Sequence, residues 1–201
     1  GARLYYVIFE WDQFFGPGIP WYRFLDIRSG GLAIYGGVIG AVLGMLIYTR
    51  VRKLKVLPFL DLTGIGLLLG QAIGRWGNFF NQEAYGYAVD PNVVPWAMYI
   101  DGAYRHPTFL YESIWDLFTF MLLMYLNRKS SLKQGESFLA YLISYSAIRF
   151  LIETLRTDSL MLGSLRMAQV MSVVLIIIAV SLIIYRRHKN LAKERTWLNK
   201  E

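Results

Sequence analysis

Cysteine is absent from all 201 residues. Disulfides, a thiolate nucleophile of the chain's own and zinc–thiolate sites are therefore excluded. Charge is scarce, at 17% of residues, where a soluble domain carries about 25%. No GxSxG, HExxH or GxxxxGK[ST] run and no Ser-His-Asp order occurs. No metal, nucleotide site or organic cofactor is expected. The start of the chain has no basic n-region followed by a small-residue cleavage site, so it does not read as a signal peptide. Histidine occurs only at His106 and His188. What is abundant is apolar: 55% hydrophobic and 16% aromatic residues.

The apolar residues fall in runs. Gly31 to Tyr48, Val56 to Gly74, Thr108 to Leu126, Ser137 to Ile152 and Met167 to Tyr185 are the long ones. At about 1.5 Å per residue, each nearly or fully crosses a hydrocarbon core of roughly 30 Å. The fold class expected is all-α. It is a polytopic membrane protein with five full spans, 31–48, 56–74, 108–126, 137–155 and 167–185, plus a partial N-terminal span over 1–9. Residues 1–201 are expected to form a single transmembrane domain. The partial span is too short to cross alone, so part of an N-terminal helix is expected to precede Gly1.

The net charge of +7 could suggest nucleic acid, but the positions of the basic residues argue otherwise. Arg50, Arg52, Lys53 and Lys55 follow the first span. Arg128, Lys129 and Lys133 lie between the third and fourth, and the 186–201 tail is basic. Alternating spans put these clusters on one side, which the positive-inside rule makes cytoplasmic. The basic residues then record topology and contact with the lipid bilayer, and no nucleic-acid partner is expected. The opposite side carries interfacial connections, of which FFGPGIPWYRF is aromatic and broken by Gly and Pro.

Glycines recur every four residues at Gly36, Gly40 and Gly44, and at Gly66, Gly70 and Gly74. Such stripes let helix backbones approach closely in lipid. The doublets Gly30-Gly31 and Gly36-Gly37 exceed what packing needs and suit the shaping of a cavity.

Some polar residues do not belong in a bilayer. Arg149 sits about 18 Å along its helix from Ser137. An unpaired charge there costs from about 3 to over 10 kcal/mol. Tyr145, Glu153 and Arg156 are spaced to share its helical face. An Arg149–Glu153 salt bridge is one reading. The other is an anion site formed with Arg75, which ends the second span on the external side. Arginines converging without matching carboxylates suit a phosphate, which guanidinium forks bind bidentately. At that depth the phosphate belongs to an outer-leaflet lipid. Glu112 and Asp116 share a helix face; they read as a cation or proton site of a transporter, or as helix-pairing groups. His106, before Pro107 at a helix start, reads as a cap or as a proton acceptor.

The run GQAIGRWGNFFNQEAYG at Gly70 to Gly86 resembles the signature GRxGNFxNxExxG of prolipoprotein diacylglyceryl transferases. GGLAIYGGVIG at Gly30 to Gly40, HPTFLYES at His106 to Ser113 and YSAIRFLIETLRTD at Tyr145 to Asp158 are similar to further blocks of that family, in its order. The resemblance runs from about Arg3 to Arg187. It implies a seven-helix bacterial plasma-membrane enzyme, with its active site toward the outer leaflet and a cytoplasmic C-terminus. Such an enzyme moves the diacylglyceryl group of phosphatidylglycerol onto the lipobox cysteine of a prolipoprotein signal peptide and releases glycerol phosphate. The substrate supplies the thiol, in keeping with a chain that has no cysteine.

The resemblance further implies that Arg75 and Arg149 hold the lipid phosphate, and that Asn78, Glu83 and Gly86 shape its site. Tyr145, Glu153 and Arg156 fall in the matching block. The family's N-terminal helix, which carries an important tyrosine, has no counterpart here. The position of Tyr35 is histidine in many members. A phenol is a poor base and a good hydrogen-bond donor, which makes His106 the better base of the two.

Overall fold

The computed structural model describes residues 1–16, 18–129, 132–157, 161–163 and 165–193, without the side chains of Trp21 and Leu162. Residues 194–201 of the basic tail, with Arg195 and Lys200, lie outside the described residues. So does Asp158 of the last motif. The chain divides into two compact units, Gly1–Val56 and Leu57–Glu201.

The N-terminal unit pairs α1 (Ala2–Phe9) with α2 (Ile34–Val51), joined by a connection with 3-10 turns at Trp11–Gln13 and Trp21–Leu25. Arg3 organises that connection. Its Nε donates to Phe24 O at 2.8 Å, and its Nη1 to Gly30 O and Gly31 O at 2.8 and 3.0 Å. Its Nη2 donates to Arg23 O and Asp26 O at 2.9 and 2.7 Å. A guanidinium has five N–H groups, so five carbonyls use them all. Gly30 and Gly31 take φ of +87° and +72° to present those carbonyls, a conformation that costs glycine little. A Cβ on Gly31 would lie 2.5 Å from Arg3 Nη1. A Cβ on Gly36 would collide with Tyr5 and Gly1, so this glycine lets α1 lie against α2.

The C-terminal unit holds α3 (Val56–Phe80), α4 (Thr108–Arg128), α5 (Glu136–Glu153) and α6 (Met167–His188). Pro58 lies in the first turn of α3, where a missing N–H is tolerated. Ile65 and Leu68 of α3, Leu123 of α4 and Tyr141 of α5 form the buried core. Asp61 of α3, buried, caps α5 from a neighbouring helix: it accepts from Gly135 N at 2.7 Å and Phe138 N at 3.0 Å. This satisfies orphan N–H groups and puts negative charge at a helix N-terminus. Glu136 receives Arg187 Nε and Nη2, both at 2.7 Å, tying α5 to α6.

Among the described residues four helices, α2, α3, α4 and α6, are long and apolar enough to cross a membrane. The run expected as the span 137–155 is helical as α5, but it carries Glu136, Arg149 and Glu153, too polar to count on composition. The fold is mostly helical, consistent with an all-α membrane protein, and carries two short hairpins in its connections: Met98–Ile100 (β1) pairs antiparallel with Ala103–Arg105 (β2), and Met161–Leu162 (β3) with Leu165–Arg166 (β4). The first hairpin turns on Asp101-Gly102, with φ of +50° and +75°. Both central residues then have the positive φ of a two-residue turn whose twist suits paired strands. The glycine stripes are also less uniform than expected. Gly40 approaches Gly1 as Gly36 does. A Cβ on Gly44, Gly66, Gly70 or Gly74 would meet nothing within 4 Å. Gly64, outside both stripes, is the α3 glycine that packs, against Phe138 and Tyr141.

Candidate active site

Helices α3, α4 and α5 each deliver charge to one cluster in the C-terminal unit. Arg75 Nε lies 3.0 Å from Glu112 Oε2, and Arg149 Nη1 lies 3.4 Å from Glu112 Oε1. Arg149 Nη2 lies 2.7 Å from Glu153 Oε2. The result is a chain of alternating sign, Arg75–Glu112–Arg149–Glu153. Glu112 and Glu153 retain only 4% and 2% of side-chain exposure, while Arg75 and Arg149 retain 17% and 20%. The carboxylates are the buried anchors, and the guanidinium edges are what an incoming molecule can reach.

This corrects the expectation of arginines without matching carboxylates. The convergence holds, and each arginine also has an acidic partner. The salt-bridge and anion-site readings of Arg149 are therefore compatible. Two cations and two anions at one place offset much of the penalty for charge in a bilayer. Among the described residues Glu112 and Glu153 use few of the arginines' ten N–H donors, so forks remain for a phosphate.

Neighbouring residues align the helices that carry the cluster. Trp76 Nε1 donates to Ser113 Oγ at 3.3 Å, and Ser113 Oγ donates to Ala72 O at 2.8 Å. These residues adjoin Arg75 and Glu112 in sequence, so α3 and α4 are pinned where the ion pair forms. Asp116, one turn along α4, is fully buried, and neither oxygen has a hydrogen-bond partner among the described residues.

Beyond Arg75, α3 runs on to Phe80 and ends in a polar clasp. Asn78 Nδ2 and Asn81 Nδ2 both donate to Glu83 Oε1 at 3.1 Å, and Glu83 N donates to Asn78 O at 3.0 Å. Asn78 follows Arg75 by three residues and so shares its face. Gly86 is buried and squeezed. A Cβ there would lie 2.7 Å from His106 Cβ and 3.2 Å from Leu155 O. Its N–H donates to His106 O at 3.1 Å, and its backbone bridges to Arg156. Tyr87 N donates to Leu155 O at 3.0 Å. The glycine thus lets the 84–88 segment pass between His106 and the end of α5.

Not every expected residue joins the charged cluster. α5 ends at Glu153, so Arg156 lies past the helix, where its main chain meets Gly86. Tyr145 stacks on Tyr141 at 6.1 Å, against the core. Tyr35 stands on α2 in the N-terminal unit, exposed, with its ring 6.4 Å from that of Tyr5.

His106 does not cap α4 with its side chain; Pro107 is the N-cap. Its ring Nδ1 lies 3.1 Å from Tyr111 Oη, and Trp96 Nε1 donates to that oxygen at 2.7 Å. Sequence reasoning passed over Tyr111 and Trp96. Tyr111 sits inside the HPTFLYES block, so a signal was available for it, whereas Trp96 in its connection carried none.

Residues 1–185 match the family described as prolipoprotein diacylglyceryl transferase. Among similar proteins are three called phosphatidylglycerol--prolipoprotein diacylglyceryl transferase. That of Bacillus cytotoxicus is 50% identical over 203 residues, covering 96% of this chain and 74% of its own. That of Clostridium novyi is 53% identical over 196 residues, covering 94% and 75%. That of Streptococcus agalactiae is 48% identical over 195 residues, with the same coverages of 94% and 75%.

Proposed function

From the premise that the chain belongs to the prolipoprotein diacylglyceryl transferase family, we propose that it transfers the diacylglyceryl group of phosphatidylglycerol to a prolipoprotein. The acceptor is the lipobox cysteine of the signal peptide. The sulfur–carbon bond forms at the glycerol carbon bearing the phosphoester, and the carbon–oxygen bond to phosphate breaks. The bonding electrons leave with the glycerol phosphate, and the thiol proton ends on that phosphate, which gains a basic oxygen as the bond breaks. The enzyme sits in the bacterial plasma membrane with this chemistry at the outer leaflet and its C-terminus in the cytoplasm.

The observation that carries the reading is the Arg75–Glu112–Arg149–Glu153 chain, with its guanidinium edges open. In this role Arg75 and Arg149 grip the lipid phosphate, and Arg149 stabilises the charge that grows on the departing oxygen. Glu153 and Glu112 aim the forks from behind. Asn78, Glu83 and Gly86 shape the headgroup site, with Arg156 and Tyr145 at its border. His106 is the polar group at the reacting centre, and Tyr35 stays a candidate through the resemblance of the glycine-rich motif.

Transport by the same intramembrane charges is not favoured: Glu112 and Glu153 are engaged by arginines, and the similar proteins are named transferases. The test is thioether formation. Purified full-length chain in phosphatidylglycerol vesicles, given a lipobox peptide, should yield diacylglyceryl-peptide and free glycerol phosphate. Replacing the peptide cysteine by serine should abolish the product. Glycerol phosphate release without a peptide adduct would overturn the reading.

A further inference from the structure

His106 sits at the end of a directional chain of donors. An indole N–H only donates, so Trp96 Nε1 must give its hydrogen to Tyr111 Oη, 2.7 Å away. The Tyr111 hydroxyl then has its own hydrogen to place. The remaining partner of that oxygen among the described residues is His106 Nδ1 at 3.1 Å. Every donor is satisfied when Trp96 donates to Tyr111 and Tyr111 donates to His106 Nδ1. The main chain is fixed independently, since His106 O accepts from Gly86 N at 3.1 Å and Thr108 N at 2.9 Å. The ring therefore cannot turn by moving its backbone.

We infer that Trp96 and Tyr111 hold neutral His106 as the tautomer with hydrogen on Nε2, so that it serves as a hydrogen-bond donor to the phosphate oxygens of the lipid headgroup and not as the thiol's base. The lone pair a base would need is on Nδ1, and Tyr111 covers it. Nε2–H is left to point at an acceptor, and in the proposed reaction the acceptor gaining charge is the phosphate oxygen. Tyr111, next to Glu112 in sequence, and Trp96 are positioning residues that act through the ring. This inference rests on the transferase reading for the identity of its acceptor; the tautomer itself does not.

Only two histidines occur in the chain, so His188→Gln leaves a single imidazole to observe. Full-length protein carrying 15N-histidine in lipid nanodiscs, at a pH alkaline enough to keep the ring neutral, should show a protonated Nε2 and a bare Nδ1. Tyr111→Phe should give a tautomer mixture and lower kcat while KM for the peptide stays put. His106→Gln places an amide N–H near the position of Nε2–H, and should stay within about tenfold of wild-type transfer. His106→Ala should lose about a hundredfold, the usual loss for one such donor. Hydrogen on Nδ1 in the wild-type ring would overturn the inference, as would equal losses for Gln and Ala. Should wild-type protein form no thioether, the transferase reading fails and the donor role with it, while the nitrogen spectra still report the tautomer.

Discussion

Glu112 serves two arginines at once, one through each carboxylate oxygen. Glu112→Gln keeps the shape and removes the charge, so Arg75 and Arg149 both lose a counter-ion. Breaking a buried pair by removing one partner costs about 3–5 kcal/mol. A marked fall in melting temperature is expected, with lipid transfer down by at least about a hundredfold. Arg75→Lys and Arg149→Lys keep charge but lose the planar fork. Each should cut transfer strongly while the protein still inserts, and Arg50→Lys, on an exposed helix end, should do little. Equal activity losses at all three positions would remove the case for fork recognition. Gly86→Ala tests a different constraint, because its Cβ would sit 2.7 Å from His106 Cβ. It should loosen the 84–88 segment and depress transfer, whereas Gly70→Ala, with open space around it, should be close to neutral. Hydrogen exchange at Tyr87 and His106 would register the loosening.

At the scale of elements, α5 carries half of the charged cluster on a helix that composition alone does not mark as a span. Its placement depends on its ends. Asp61 caps its N-terminus from α3, and Glu136 binds Arg187 of α6. Asp61→Ala would leave one buried and one partly buried N–H group without their carboxylate. A cap is worth about 0.5–2 kcal/mol, and a buried charged one belongs at the upper end. The expected result is a lower melting temperature and faster exchange of the Gly135 and Phe138 amides, with exchange in the N-terminal unit unchanged. Uniform acceleration of exchange across the chain would mean that Asp61 has no such local role.

For the molecule as a whole, the orientation proposed from charge makes a prediction of its own. The basic residues Arg128, Lys129 and Lys133, and the tail after His188, should all face the cytoplasm. Cysteines introduced at Lys133 and Lys193 of this cysteine-free chain should react with impermeant maleimide only after the membrane is opened. Cysteines at Asn92 and Asp101, near the first hairpin, should react in intact cells. Labelling in the opposite pattern would place the arginine cluster at the inner leaflet and overturn the outer-leaflet chemistry.

Much of this protein follows from pattern alone. Apolar runs near the length of a bilayer mark α2, α3, α4 and α6, because one helix in lipid must satisfy its own backbone and show carbon to its surroundings. Arg75 and Arg149 stand out because charge at such depths needs a reason, His106 because it precedes a helix-start proline, and Asn78, Glu83 and Gly86 through the resemblance to the family alone. What pattern could not decide is pairing. Glu112 serves Arg75 and Arg149 together only because three helices meet, and Asp61 caps a helix about 75 residues away in sequence. The same holds for His106. Its spacing allows a cap or a base, and the donor role comes from Trp96 and Tyr111, which the fold brings to one ring nitrogen. Hydrogen bonds and ion pairs act over about 3 Å in space, a distance that sequence separation does not measure.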